Sequence, residues 1–163
     1  MQDVKLKEAD ITDIDRITEL AKLVWNQHYP AIIGQDQVDY MLAMMYSKTS
    51  LEEQMKGKGH RFFFVLMDGK EVGFISMNRV SGDDWFLNKF YIDQNVGAKG
   101  IGTMAFGSIT EILHPTKITL TVNRGNFKTI NFYFKLGFTI DHCAQFDIGK
   151  GYVMDDFVMV WKC

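Results

Sequence analysis

Several things are scarce in this chain. Only two of its 163 residues are cysteine, Cys143 and Cys163, and they form no Cys-x-x-Cys pair, so neither a disulfide framework nor a metal site is expected. Prolines also number two, and no Gly-, Ser- or charge-rich tract interrupts the sequence; one domain spanning 1–163 is expected, without linkers or repeats. The longest apolar runs, such as Phe62 to Met67, fall far short of the roughly 20 residues that cross a bilayer. Met1 to Asp10 shows no secretory pattern, which together with the sparse thiols reads as a cytoplasmic, reduced protein with no membrane partner. An excess of one charge is missing too: 18 Lys and Arg face 20 Asp and Glu, which argues against nucleic acid as a main partner.

What is present is an ordinary globular composition, 47% hydrophobic and 23% charged, organised as alternating elements. Val4–Lys7 reads as a strand. Asp10 then caps a helix with apolar positions Ile11, Ile14, Ile17, Leu20, Ala21 and Val24 at helical spacing. The segment Trp25 to Pro30 is too aromatic for a plain linker. A second helix is predicted over Asp36–Tyr46, and a short piece over Ser50–Lys56. Arg61–Met67 and Val72–Val80 flank Asp68-Gly69, the best hairpin signal in the chain, and Asp84–Ile92 is another strand. Then come a helix over Ile101–Leu113, a strand over Lys117–Val122, a helix over Asn126–Leu136 stopped by Gly137, and closing strands from Phe138 and over Tyr152–Trp161. The fold class is mixed α/β, with antiparallel strands first and a strand-helix-strand crossover after them. On the Asn126 helix, Phe127, Ile130 and Phe134 form the stripe expected to face the core.

The strand end Tyr91-Ile92-Asp93 runs through Gln94-Asn95-Val96-Gly97-Ala98-Lys99-Gly100 into the helix at Ile101-Gly102-Thr103. Such a glycine loop brings backbone N–H groups close to an anion, and the positive end of the helix dipole adds to the attraction, so a pyrophosphate is the expected ligand. The loop is neither a P-loop, which needs Gly-x-x-x-x-Gly-Lys-Ser/Thr, nor Gly-x-Gly-x-x-Gly, since Ala105 follows Gly100 and Gly102.

Downstream lies Leu120 to Phe138, containing Asn126-x-x-x-Ile130-x-Phe132-Tyr133-x-Lys135-Leu136-Gly137-Phe138. A glycine loop that opens a helix, then a strand, then this pattern resembles the GNAT superfamily of acetyl-CoA-dependent N-acetyltransferases. The likeness is detailed over Phe86–Phe138, and the flanking hairpin and closing strands fit the family's order. It implies a GNAT fold: a mixed, mostly antiparallel sheet with helices on both faces and a splayed parallel strand pair at the cofactor site. It further implies that Gly97, Ala98, Lys99, Gly100, Ile101, Gly102 and Thr103 bind the pyrophosphate of acetyl-CoA and that Phe90, Tyr91 and Ile92 pair with its pantetheine arm. Asn126 would hold the arm, and Tyr133 would sit by the thiolate as the catalytic acid, a phenol with an ordinary pKa of about 10.

The pattern departs from the family at two places. Asn88 stands where many relatives carry an acid, and an amide accepts no proton; a water chain, Asp84, His28 or Tyr29 is then left to serve as base. Gly97 stands where Gln or Arg is common, which shifts the phosphate's load to backbone amides and Lys99. Trp25, His28, Tyr29, Asp84 and Asn88 are the candidate acceptor-side residues. Likeness to polyamine acetyltransferases, carried by the aromatic segment, Phe62–Phe64 and Asn88–Ile92, would suit a cationic acceptor beside Asp83, Asp84, Asp155 and Asp156. Taken alone, Asp155-Asp156 reads as a solvated turn or edge. The implied activity is acetyl transfer to a small amine, a polyamine or a peptide N-terminus by direct attack, and the resemblance leaves a homodimer open. A non-catalytic acyl-CoA sensor or interaction module is the rival that Asn88 supports.

Overall fold

The computed structural model describes residues 2–163. Seven strands form one sheet in the order β1-β2-β3-β4-β5-β7-β6, mixed in direction as the sequence implied. They are β1 (Val4–Glu8), β2 (Arg61–Met67), β3 (Lys70–Ser81), β4 (Asp84–Ile92), β5 (Lys117–Asn123), β6 (Thr139–Gly149) and β7 (Tyr152–Lys162). Helices α1 (Ile14–His28), α2 (Pro30–Ile33), α3 (Gln35–Met45) and α4 (Lys48–Glu52) lie between β1 and β2, α5 (Ile101–Leu113) follows β4, and α6 (Phe127–Leu136) follows β5. The chain divides into two compact units, one made of residues up to Asn78 with Lys89–His114, the other of Arg79–Asn88 with Pro115–Cys163.

In the first unit Asp10 and Asp13 close a reciprocal capping box around a 3-10 turn over Ile11–Asp13, so α1 itself starts at Ile14. Ile11 therefore leaves the predicted stripe and is exposed, while Ile14, Ile17, Leu20, Ala21, Val24 and Trp25 are buried. Pro30 opens α2 at a position whose N–H the helix does not need. α4 runs into a π-helical turn over Glu53–Gly57 that buries Gln54. β1 pairs antiparallel with β2 and β2 with β3, and Asp68 (φ 49°) and Gly69 (φ 79°) make the two-residue turn with positive φ at both positions that such hairpins prefer. Gly73 is required by crowding: a Cβ there would stand 2.1 Å from the Tyr91 carbonyl oxygen, so only glycine lets β3 pass this close to the end of β4. α5 lies against β1.

In the second unit β4 pairs with β5 in parallel, Asp84–Phe86 against Lys117–Thr119, and that ladder ends there. β5 continues to Asn123 along its antiparallel partner β7, and β7 pairs antiparallel with β6. The free side of Leu120–Asn123 is an unpaired strand edge of the kind that accepts an extended ligand. Ile118, Leu120, Phe138 and Met159 form the apolar centre of this unit. Gly137 (φ 100°) ends α6 with Phe138 N–H bonded to the Tyr133 carbonyl at 3.0 Å, the glycine stop that the sequence predicts.

Two sequence expectations fail here. Phe127 is 73% exposed and Phe134 46% exposed, so of the predicted core stripe only Ile130 is buried. The buried positions around α6 are Asn126, Ile130 and Tyr133, spaced i, i+4 and i+7, which form one helical face. Asp155 and Asp156 lie inside β7 rather than in a turn, and Asp156 is buried.

Candidate active site

In the first unit the exit from β4 is built by side chains of α1. Asp93 accepts from the Asn95 N–H at 2.9 Å and starts a 3-10 turn over Gln94–Val96. Gln27 at the end of α1 donates to Asp93 Oδ1 (2.7 Å) and accepts from the Gln94 N–H (2.9 Å), and Gln94 Nε2 lies 3.1 Å from His28 Nδ1. Gly97 (φ 69°) and Gly100 (φ 82°) then take the left-handed conformation, with nothing within 4 Å of where a Cβ would stand. The torsion demands glycine, and the space beside the backbone is open.

Gly100 caps α5 without any side-chain bond, and no acid stands in the first turn. The first intrahelical bond runs from Met104 N–H to the Gly100 carbonyl at 3.0 Å, so the N–H groups of Ile101, Gly102 and Thr103 have no acceptor within the helix. Bare N–H groups, a positive dipole end and open space beside the glycines fit a pyrophosphate without a side-chain cation. Lys99, one residue before the cap, is exposed.

The acceptor-side candidates Trp25, His28 and Tyr29 gather at the same strand end. Tyr29 and Tyr91 bring their hydroxyls to 3.0 Å with rings edge to face, and the Trp25 ring packs against Tyr29 with centres 4.4 Å apart and planes tilted by 41°. Trp25 is a packing residue as well: it is buried and its indole N–H donates to the Tyr46 hydroxyl at 3.0 Å. His28 Nε2 lies 3.5 Å from the Ile92 carbonyl. Phe90, Tyr91 and Ile92 are half-buried.

In the second unit Asn126 is the buried N-cap of α6, and its side chain makes no capping bond, which leaves the amide for another partner. The turn that presents it is tied at both ends. Gly125 N–H bonds to Asn123 Oδ1 (2.8 Å), Asn126 N–H to the Asn123 carbonyl (3.0 Å), and Arg124 N–H to the Asp155 carbonyl (3.0 Å). Tyr133 is buried two turns along, packed on Phe138 with ring centres 5.3 Å apart. Asp84 and the half-buried Asn88 lie on β4, and Asp84 opens that strand, where its carboxylate takes a 3.3 Å bond from the Thr116 hydroxyl.

The burial of two ionisable groups, Lys89 and Asp156, is not apparent from the sequence, although Asp156 is one of the acids that a cationic acceptor would suit. Lys89 donates to Gln54 Oε1 at 2.7 Å and lies over the rings of Tyr46 and Phe62, and burial, then the Lys58 charge, bring its pKa down to about 7. Asp156 is pushed up to about 6, by burial first; the Thr121 hydroxyl, close but outside hydrogen-bond geometry, pulls the other way, and the Asp155 charge adds to the rise. Strand alternation held the signal for both. Lys89 shares parity with the buried Trp85 and Leu87, and Asp156 with the buried Val158.

The model of the acetyltransferase (GNAT) family matches residues 18–138. The chain belongs to that family. Solved structures share the fold of this GNAT chain over nearly its whole length. The PaiA N-acetyltransferase of Thermoplasma acidophilum, solved in complex with coenzyme A, is 22% identical with a TM-score of 0.79 over 99% of each chain. The ribosomal-protein-S18-alanine N-acetyltransferase of Escherichia coli is 16% identical, TM-score 0.72, over 98% of this chain and 94% of that one. A chimera of the spermidine N-acetyltransferase SpeG of Vibrio cholerae and hSSAT is 18% identical, TM-score 0.68, over 98% and 95%. No curated protein sequence matches significantly. Among the described residues no helix is long and apolar enough to cross a membrane, and no cluster of three or more His, Cys, Asp or Glu could hold a metal ion.

Proposed function

We propose that this GNAT chain transfers an acetyl group from acetyl-CoA to a primary amine, on a small molecule, a polyamine or a peptide N-terminus, by direct attack of the amine. The observation that carries the reading is the start of α5, where two left-handed glycines and three N–H groups without helical acceptors make an anion cradle free of side chains. Acetyl-CoA supplies an activated acyl group. The backbone amides of Gly97–Thr103 hold its pyrophosphate, the backbone of Phe90–Ile92 pairs with its arm as an added strand would, and the Asn126 amide steadies that arm. Tyr133 delivers a proton to the departing sulfur, and a backbone N–H near Tyr91–Asp93 donates to the carbonyl oxygen as negative charge develops there. One domain over 1–163 carries all of this.

The test is thermal unfolding with acetyl-CoA, joined to thiol release across a panel of amines. Protection that grows with ligand concentration and thiol release with at least one amine are expected. Protection without release for any amine would favour the non-catalytic acyl-CoA sensor that Asn88 suggests. Absence of protection would end the reading.

A further inference from the structure

Asp156 is 1% exposed, and neither of its carboxylate oxygens has a hydrogen-bond partner. A buried carboxylate in that state is costly, and such groups are ordinarily paired. Its neighbour Asp155 shows the contrast, since that carboxylate is part exposed and pairs with Arg124 Nη2 at 3.0 Å.

The register of the second unit fixes what surrounds Asp156. On β5 it stands opposite Asn123, with Thr121 the next residue on that face, and neither is ionisable. On β6 it stands opposite Ala144, flanked on the same face by Phe146 and by His142, which is exposed and bonded to Asp141. On β7 the same-face neighbours are Met154 and Val158, while Asp155 alternates to the other face. No Lys or Arg occupies any of these positions. Thr121 and Asn123 are only half-buried, so the carboxylate belongs to the polar face of β5 and not to the apolar one made by Ile118, Leu120 and Val122. The Arg124 N–H bond to the Asp155 carbonyl ties this point of β7 to the turn that presents Asn126.

We propose that Asp156 is the carboxylate that receives the acceptor's ammonium group and removes its proton. This rests on the acetyltransferase reading and supplies the base that Asn88 cannot. One proton passes from the ammonium to an Asp156 oxygen, and the freed lone pair forms the N–C bond to the acetyl carbon while the C–S bond breaks. The second N–H proton offsets the one that Tyr133 gives to sulfur. The products are the amide and free thiol, and one proton reaches water when Asp156 ionises again. A carboxyl group that titrates close to neutrality suits this task better than an exposed one. The acceptor class that follows is a primary ammonium.

The experiment compares wild type with Asp156→Asn and Asp156→Glu, using spermidine, a short alkyl diamine and an alanine-initiated peptide as probes. For Asp156→Asn we expect kcat/KM for the amine to fall at least 100-fold at pH 7, with acetyl-CoA protection retained and Tm unchanged or raised. Wild-type kcat/KM should rise through an acid limb near pH 6 that the Asn variant lacks, and Asp156→Glu should regain part of the lost rate. Asp156→Asn within threefold of wild type, or the acid limb surviving in that variant, overturns the proposal. If wild type itself shows no acetyl-CoA protection, the acetyltransferase reading fails and takes this inference with it; wild-type turnover beside an unaffected Asn variant defeats this inference alone.

Discussion

Lys89 donates its ammonium proton to Gln54 Oε1 at 2.7 Å from a buried position that is 4% exposed. Gln54 is itself held by bonds from its Nε2 to the Met45 carbonyl (2.7 Å) and the Ser50 hydroxyl (3.0 Å), so the lysine pins the π-helical turn to β4. The rings of Tyr46 and Phe62 give the charge partial compensation, each about 5.5 Å away.

The pH dependence follows from the sign of that shift. Lys89 has a folded pKa of about 7 against 10.5 ordinarily, so the unfolded chain binds its proton more readily. Its contribution to stability is complete above pH 10.5 and is lost as pH falls to about 7, by roughly 5 kcal/mol at most. Stability should therefore rise between pH 7 and 9, and Lys89→Met should flatten that rise in urea melts. The gain from Lys89→Met at pH 7 should be smaller, about 2 kcal/mol, because Gln54 Oε1 loses its donor. His60, lowered to about 4 by burial, then by the Lys89 and Lys58 charges, acts in a separate window: its contribution is lost as pH falls from 6.5 toward 4.

Asp156 has the opposite sign. Its folded pKa of about 6 lies above the ordinary 3.8, so its contribution is fully present below pH 3.8 and is lost as pH rises through 6. Asp156→Asn should stabilise the chain at pH 8, by up to about 3 kcal/mol, and should give no gain at pH 3.5. Chemical denaturation at the two pH values measures the difference.

The hairpin at Asp68-Gly69, the apolar stripe of α1 and the glycine stop of α6 were legible in the sequence because each rests on a local rule. The site's glycine loop was legible for the same reason, since Gly97 and Gly100 take torsions that other residues resist. Burial on α6 was not. That helix carries aromatic residues around its circumference, and apolarity alone chose Phe127 and Phe134 over Asn126 and Tyr133. The burial of Lys89 and Asp156 was hidden because charge is a good sign of exposure, and alternation reveals a buried charge only when the residue type is set aside.

Glycine replacements separate torsion from crowding. Gly100→Ala places a Cβ at φ 82° with no neighbour in reach, so about 1 kcal/mol of backbone strain is expected, along with weaker acetyl-CoA binding as the cap relaxes. Gly73→Ala drives a Cβ to 2.1 Å from the Tyr91 carbonyl and should cost more than about 3 kcal/mol. Melting curves with and without acetyl-CoA distinguish the two. Gly100→Ala should lose mainly the ligand-induced increment, and Gly73→Ala mainly the stability of the free chain.

Tyr133→Phe keeps the ring that packs against Phe138 at 5.3 Å and removes only the hydroxyl, so Tm should stay within a few degrees of wild type. If the phenol gives its proton to the leaving sulfur, kcat should fall about 100-fold while the acetyl-CoA concentration for half-maximal thermal protection stays constant. A thioester with a more acidic thiol needs less help in departing, so the variant's deficit should shrink with such an acyl donor. Equal rates for Tyr133→Phe and wild type with acetyl-CoA would remove Tyr133 from the proton path and leave it as a packing residue of α6.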